Sequence, residues 1–187
     1  GTDIGGGVLY WSIAARHDGV INFDPTRSAE IGTVAYYVDS GVDAPCWVRT
    51  NLASITPYFG GVVPDDESAA SLNGAALSAA SLAAKRMKMP FEMLAKSHFT
   101  DTTFPVYSKT EYRSISGVGS INFTGTNAPV AASASWLALE PPTGREFVDS
   151  ISFESDGVSA GVEAFRFRNF FSTYTNCEFK NCVSGGF

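Results

Sequence analysis

Short runs of alternating apolar and polar positions dominate the chain, and one long segment breaks that rhythm. Residues 7–13 (GVLYWSI), 19–23 (GVINF), 32–39 (GTVAYYVD) and 46–50 (CWVRT) are rich in Val, Ile, Tyr, Phe and Trp, the residue types that suit strands. In the third run Val34, Tyr36 and Val38 fall on one face, because strand side chains alternate. Asp18-Gly19, Asp24-Pro25 and Ser40-Gly41 stand between the runs as turn signals. Residues 1–57 therefore read as a small β-rich module.

The break in rhythm is ESAASLNGAALSAASLAAKRMKM. Its period is helical, and a helix is expected over about residues 66–88. Leu72, Ala76, Ala79 and Ala83 share one face, flanked by Ala75 and Leu82. Asp65, Asp66 and Glu67 stand at the start, where the helix dipole favours negative charge. Lys85, Arg86 and Lys88 close the helix, and Pro90 stops it. An Ala-rich face this small can lie close against a flat surface, such as the end of a stack of strands.

Beyond Pro90 the strand rhythm returns in FEMLAKSHF, TTFPVYS, TEYRSISGVGSINFTG and VDSISFES, while ASASWLALEPPTG reads as a loop or an inserted strand. Two of these later segments repeat. Asp149-Ser150-Ile151-Ser152-Phe153-Glu154-Ser155 and Thr175-Asn176-Cys177-Glu178-Phe179-Lys180-Asn181 share one pattern of polar, apolar, Phe and charge, with Ile151 and Cys177 26 residues apart. A weaker copy, Gly119 to Gly125, sets Ile121 30 residues before Ile151. A period in the twenties with several strands per period fits a parallel β-solenoid, in which like residues stack from rung to rung. Ile151 would then stack near Cys177 and Phe153 near Phe179, while Glu154, Arg166, Arg168 and Lys180 would point outward. Two unrelated antiparallel strands of a sandwich are the alternative.

Composition narrows the function classes. The 187 residues are 44% hydrophobic and 17% charged, an ordinary globular balance. The net charge is −6, and the cluster Lys85-Arg86-Met87-Lys88 reads as a basic last helical turn. Nothing here resembles the basic patch of a nucleic-acid binder. No apolar run reaches the ~20 residues of a membrane helix, so no membrane insertion is expected. Cys46, Cys177 and Cys182 form no disulfide framework, and are expected reduced and buried.

Candidate chemistry is sparse. His17 and His98 stand far apart, and the spacing of Cys177 and Cys182 does not suit zinc. Gly5-Gly6-Gly7 lacks the strand-then-helix context of a phosphate loop. Ser68, Ser71, Ser78 and Ser81 have no histidine near them in sequence. Trp11, Trp47 and Trp136 could stack on sugar rings, although core packing is the usual fate of such residues. Glycoside cleavage commonly uses two carboxylates. Asp149, Glu154, Asp156, Glu163 and Glu178 are the acids in the repeated part, but an exposed acid on a strand is ordinarily a solubilising group. No catalytic, cofactor or metal residues are assigned.

The stretch YFGGVVPDDESAASLNGAALSAASLAAKRMKMPFEM resembles the opening of pectate-lyase-like β-helix proteins, through Phe59-Gly60, Asp65-Asp66 and the Ala-rich helix. Ser116-Gly117-Val118-Gly119-Ser120-Ile121 is similar to the family's step into its first rungs, although Pro90-Phe91 stands where the family has a tight Pro-x-Gly loop. Within that superfamily the chain resembles bacteriophage tailspikes. The resemblance implies a mainly β protein: a virion-proximal connecting module at 1–57, then at 58–187 a capping helix and the first rungs of a right-handed parallel β-helix. It implies a homotrimer on the phage tail that recognises and degrades capsule or O-antigen polysaccharide, with baseplate proteins or other spikes as partners. A non-catalytic adaptor that anchors other spikes and a secreted bacterial polysaccharide lyase or hydrolase remain alternatives. Because an uncapped solenoid would expose its core, the rungs are expected to continue past Phe187.

Overall fold

In the computed structural model, residues 52–126, 128–142, 144–155, 162–166 and 172–182 are described in full, and residues 9–12, 35–37 and 46–49 by their backbone. The expected strand at 19–23, the acid Asp156, the outward Arg168 and the turn at 183–187 lie outside them, as do the side chains of Trp11, Trp47 and Cys46.

The N-terminal part forms a three-stranded antiparallel sheet. β1 (Leu9–Ser12) and β2 (Ala35–Tyr37) flank β3 (Cys46–Arg49), so the last strand in sequence is central.

From residue 91 onward the chain winds through three parallel sheets. β4 (Phe91–Leu94), β5 (Ser97–Thr100) and β6 (Phe104–Val106) make the first rung. β7 (Glu111–Ile115), β8 (Gly119–Phe123) and β9 (Ala131–Ser133) make the second. β10 (Phe147–Asp149), β11 (Ile151–Ser155) and β12 (Phe165–Arg166) make the third, and β13 (Thr173–Thr175) and β14 (Glu178–Lys180) begin a fourth. The first strand of each rung pairs in parallel with the first strand of the next, giving the sheet β4-β7-β10-β13. The second strands give β5-β8-β11-β14 and the third give β6-β9-β12. This is a parallel β-helix, and a sandwich of antiparallel strands is excluded for this part.

Identical faces stack into columns inside the coil. Ile55, Phe91, Tyr112, Val148 and Tyr174 form one. His98, Ile121, Phe153 and Phe179 form a second. The expected match of Phe153 with Phe179 is observed: their rings stack at 5.7 Å and 19°. The same register sets Cys177 over Ile151. The weaker copy aligns differently, because Ile121 lies beside Phe153 and Gly119 beside Ile151. The offset is therefore 32 residues rather than 30. A slip of two residues preserves the inside–outside phase, so alternation alone does not reveal it. Gly119 occupies the inward position because a Cβ there would lie 2.5 Å from the Leu94 carbonyl.

Each of the two repeated segments also bends where the sequence suggested one straight strand. Ser150 and Asn176 adopt left-handed backbone, at φ 58° and 52°, and turn the chain from the first sheet into the second. One residue suffices for the corner, and Asn is among the few non-glycine residues that tolerate this conformation. The Asn176 amide adds a hydrogen bond to the Asp149 carboxylate at 3.1 Å.

Helix α1 (Ala70–Met87) packs against β4, β5 and β6 and closes the first-rung end of the coil. Asp66 caps the preceding 3-10 turn by accepting from the Ser68 amide at 2.9 Å. The buried face is rotated from the expected one. Asn73, Ala76, Leu77, Ala80, Ser81, Ala83 and Ala84 are buried, whereas Leu72 is 57% exposed. Two polar residues set this rotation. Asn73 exchanges two hydrogen bonds with the Val63 backbone, at 2.8 and 2.9 Å. Ser81 donates to the Pro105 carbonyl at 2.6 Å and pairs with the Tyr112 hydroxyl at 2.8 Å. Lys85 ties the far end of the helix to the coil through the Ser108 carbonyl at 2.5 Å and Glu140 at 3.0 Å.

Candidate functional site

The coil buries its apolar columns and leaves two sheet exteriors for chemistry. On the β5-β8-β11-β14 exterior, alternation places one file of Ser97, Ser120, Ser152 and Glu178 beside another of Phe99, Asn122, Glu154 and Lys180. Lys180 reaches both acids, Glu154 at 3.4 Å and Glu178 at 2.7 Å. Ser152 donates to Glu154 at 2.8 Å, and Asn122 donates to Ser120 at 3.0 Å. Lys96 and Asp65 pair at 2.6 Å along the same groove, whose volume is ≈ 280 Å³. The Lys96 hydrogen bond, supported by the Ser97 amide, holds the Asp65 carboxyl below its ordinary range.

The structure therefore brings together only two of the acids singled out from sequence, among those described. Glu154 and Glu178 are neighbours, and one ammonium serves both. Asp149 lies on the other exterior, where Asn176 donates to it. Glu163 is clamped by Arg166 through both carboxylate oxygens, and the Arg166 hydrogen bond holds its carboxyl low. The outward positions expected for Glu154, Lys180 and Arg166 are found. Trp136 is not a core residue: it is 36% exposed, and the Arg166 guanidinium sits 4.8 Å from its ring centroid. Cys177 and Cys182 are free thiols, half-buried rather than buried.

The β4-β7-β10-β13 exterior has a different character. Its first outward file is Glu111, Phe147 and Thr173, and its second is Glu92, Arg113, Asp149 and Thr175. Arg113 bonds Glu92 through Nε at 2.7 Å and Glu111 through a second nitrogen at 3.1 Å. Burial raises the Glu92 carboxyl, but donors Ser54 and Arg113 outweigh it and leave it below its ordinary range. Lys109, Glu111, Phe147, Asp149, Thr173 and Thr175 surround a groove of ≈ 450 Å³ floored by Tyr112 and Val148.

Sequence reading passed over this groove. The signal was REFVD at 145–149, where the alternation set by inward Val148 and outward Asp149 puts Glu146 inside and Phe147 outside. Glu146 points in and is fully buried, receiving hydrogen bonds from Tyr174 at 2.8 Å and Ser172 at 3.2 Å. Phe147 points out and is 40% exposed. A buried acid and an exposed aromatic side by side are the informative departures from the usual inside–outside rule.

His98 has a structural role. Its Nδ1–H donates to the Ser120 carbonyl at 3.1 Å, so Nε2 accepts from the Tyr58 hydroxyl at 2.6 Å. The Tyr58 oxygen in turn accepts from the Leu94 amide at 3.0 Å. Burial keeps the imidazole below its ordinary value and the Tyr58 phenol above.

No family model matches the chain, and no curated protein matches it. Among solved structures it is similar to the tailspike protein of Acinetobacter phage vB_ApiP_P1, at 19% identity and a TM-score of 0.54. The match covers 84% of this chain but 27% of that one, so the chain spans about a quarter of the tailspike's length. At that identity the comparison establishes shared architecture: the chain has the fold of part of a phage tailspike.

Proposed function

We propose that this chain is part of a phage tailspike, a homotrimer on the virion tail that binds bacterial capsule or O-antigen polysaccharide and degrades it. The observation that carries this reading is the fold likeness to a phage tailspike across 84% of the chain. The helix-capped coil supports it, because its columns occupy the interior and leave long sheet exteriors free for an extended ligand. The resemblance to pectate-lyase-like proteins in the helix segment points the same way. The connecting module at 1–57 would face the virion and the coil would face the host. The test is incubation of the intact protein with polysaccharide from a susceptible host, followed by sizing of the glycan. Shortened chains are expected; unchanged length across all susceptible hosts removes the degrading activity from the proposal.

A second reading, a non-catalytic adaptor that anchors other spikes, draws on one specific observation. Glu154 and Glu178, the only candidate acids brought together among the described residues, are both committed to Lys180. Co-purification with baseplate proteins and sibling spikes, without glycan shortening, would favour it. A secreted bacterial lyase or hydrolase would instead be monomeric by light scattering.

A further inference from the structure

We infer that the exterior of β7, β10 and β13 is a carbohydrate subsite in which Phe147 forms the platform for one pyranose ring. This deepens the polysaccharide reading above and rests on it. The first observation is the reversed polarity of the pair Glu146-Phe147, with the acid inside and the aromatic outside. Burying Glu146 costs free energy that its partners, Tyr174 and Ser172 among them, have to offset, and exposing Phe147 forgoes burial of a large side chain. The arrangement places an aromatic ring on the surface, between Glu111 and Thr173 on the adjoining rungs.

The second observation is the groove itself. Its ≈ 450 Å³ lies within the range of small-molecule sites. The Phe147 ring offers a flat apolar surface for the C–H face of a sugar. Glu111, Asp149, Thr173, Thr175 and Lys109 ring it with acceptors and donors for hydroxyls. Neighbours within one file lie one rung apart, about 4.8 Å, a spacing that suits hydroxyls on opposite sides of one pyranose.

The rim also selects the occupant. Protein–protein interface cores are depleted of charge, yet every outward neighbour of Phe147 in the groove is polar or charged. Lys109 and Arg113 stand beside Asp149 and Glu111, so the rim carries both signs of charge and offers a sugar donors as well as acceptors.

The test uses the intact protein and methyl glycosides of glucose, galactose, glucosamine and glucuronic acid, read by saturation-transfer NMR. Ring protons of at least one sugar should receive saturation. Phe147→Ala should weaken that binding at least tenfold, Phe147→Trp should preserve it, and Asp149→Asn should weaken it less than Phe147→Ala. The inference is overturned if no sugar is saturated or if Phe147→Ala leaves saturation unchanged. A change of oligomeric mass in Phe147→Ala without loss of sugar binding also overturns it, in favour of a contact between copies. If Phe147→Ala binds sugar normally while host polysaccharide is still shortened, the subsite fails and the tailspike reading stands.

Discussion

The first rung and the outer faces of the later rungs belong to the same three parallel sheets but are held by opposite means. On the buried face of α1, Asn73 and Ser81 are fully buried and hydrogen-bonded. Ser81, Tyr112 and the Tyr107 amide share one knot, with the Tyr112 oxygen accepting from Tyr107 at 2.8 Å. Around it Phe91, Phe104 and Tyr112 pack with centroids 5.4 to 5.8 Å apart. The outer faces rely on ion pairs such as Lys180 with Glu154 and Glu178, which share their surroundings with water. Buried knots resist change, and exposed ion pairs tolerate it. The difference assigns stability to the capped end and adaptability to the exterior.

Substitutions in the two regions sharpen the contrast, beginning with the largest effect. Phe91→Ala should remove about 3–5 kcal/mol, as buried aromatic truncations do, visible as a large drop in the urea midpoint. A loss under 1 kcal/mol would mean the first rung is not a packed core. Tyr112→Phe keeps the ring but strands its partners, and should cost about 1–3 kcal/mol. Burial holds the Tyr112 phenol far above its usual range, so this loss should be independent of pH up to pH 9.

His98 provides a pH-dependent comparison. Its imidazole titrates lower in the folded chain than in the unfolded one, where about 6.5 is usual. Below that value the unfolded chain binds the proton first, so this stabilisation is present above about pH 6.5 and declines as pH falls. The charged groups facing it are Asp65, which favours the proton, and Lys96, which opposes it. Asp65 itself is held low and titrates beneath this window. The urea midpoint should fall between pH 7 and pH 5.5, and His98→Gln should flatten that slope. An unaltered slope would remove His98 from the cause. The smallest effect belongs to the exterior. Lys180→Ala should leave the urea midpoint nearly unchanged, as for other exposed ion pairs, and any small shift should shrink as salt is added.

What could be read from sequence follows the same division. The pairing of Phe153 with Phe179 was legible because the two rungs differ by 26 residues with matching corners, and Ser155 confirms the register by bonding the Asn181 carbonyl. The second rung was misaligned by two residues, since an inward glycine at 119 offers no apolar mark to count from. The helix was legible in extent, but its buried face was not. Spacing of apolar residues cannot register that Asn73 and Ser81 point inward to make hydrogen bonds. The Phe147 groove escaped notice for a related reason. Residue type assigns a Phe to the inside by default, whereas the alternation set by Val148 and Asp149 puts Phe147 outside and Glu146 inside.

The three parallel sheets have a mechanical consequence. Strands in such a coil run across its axis, so the hydrogen bonds between successive rungs point along it. A pull along the axis therefore loads the bonds of all three sheets together. One rung separates from the next only when β4-β7, β5-β8 and β6-β9, or their counterparts further along, yield at once. Tension is shared in parallel, and no single strand can be peeled away by an axial force.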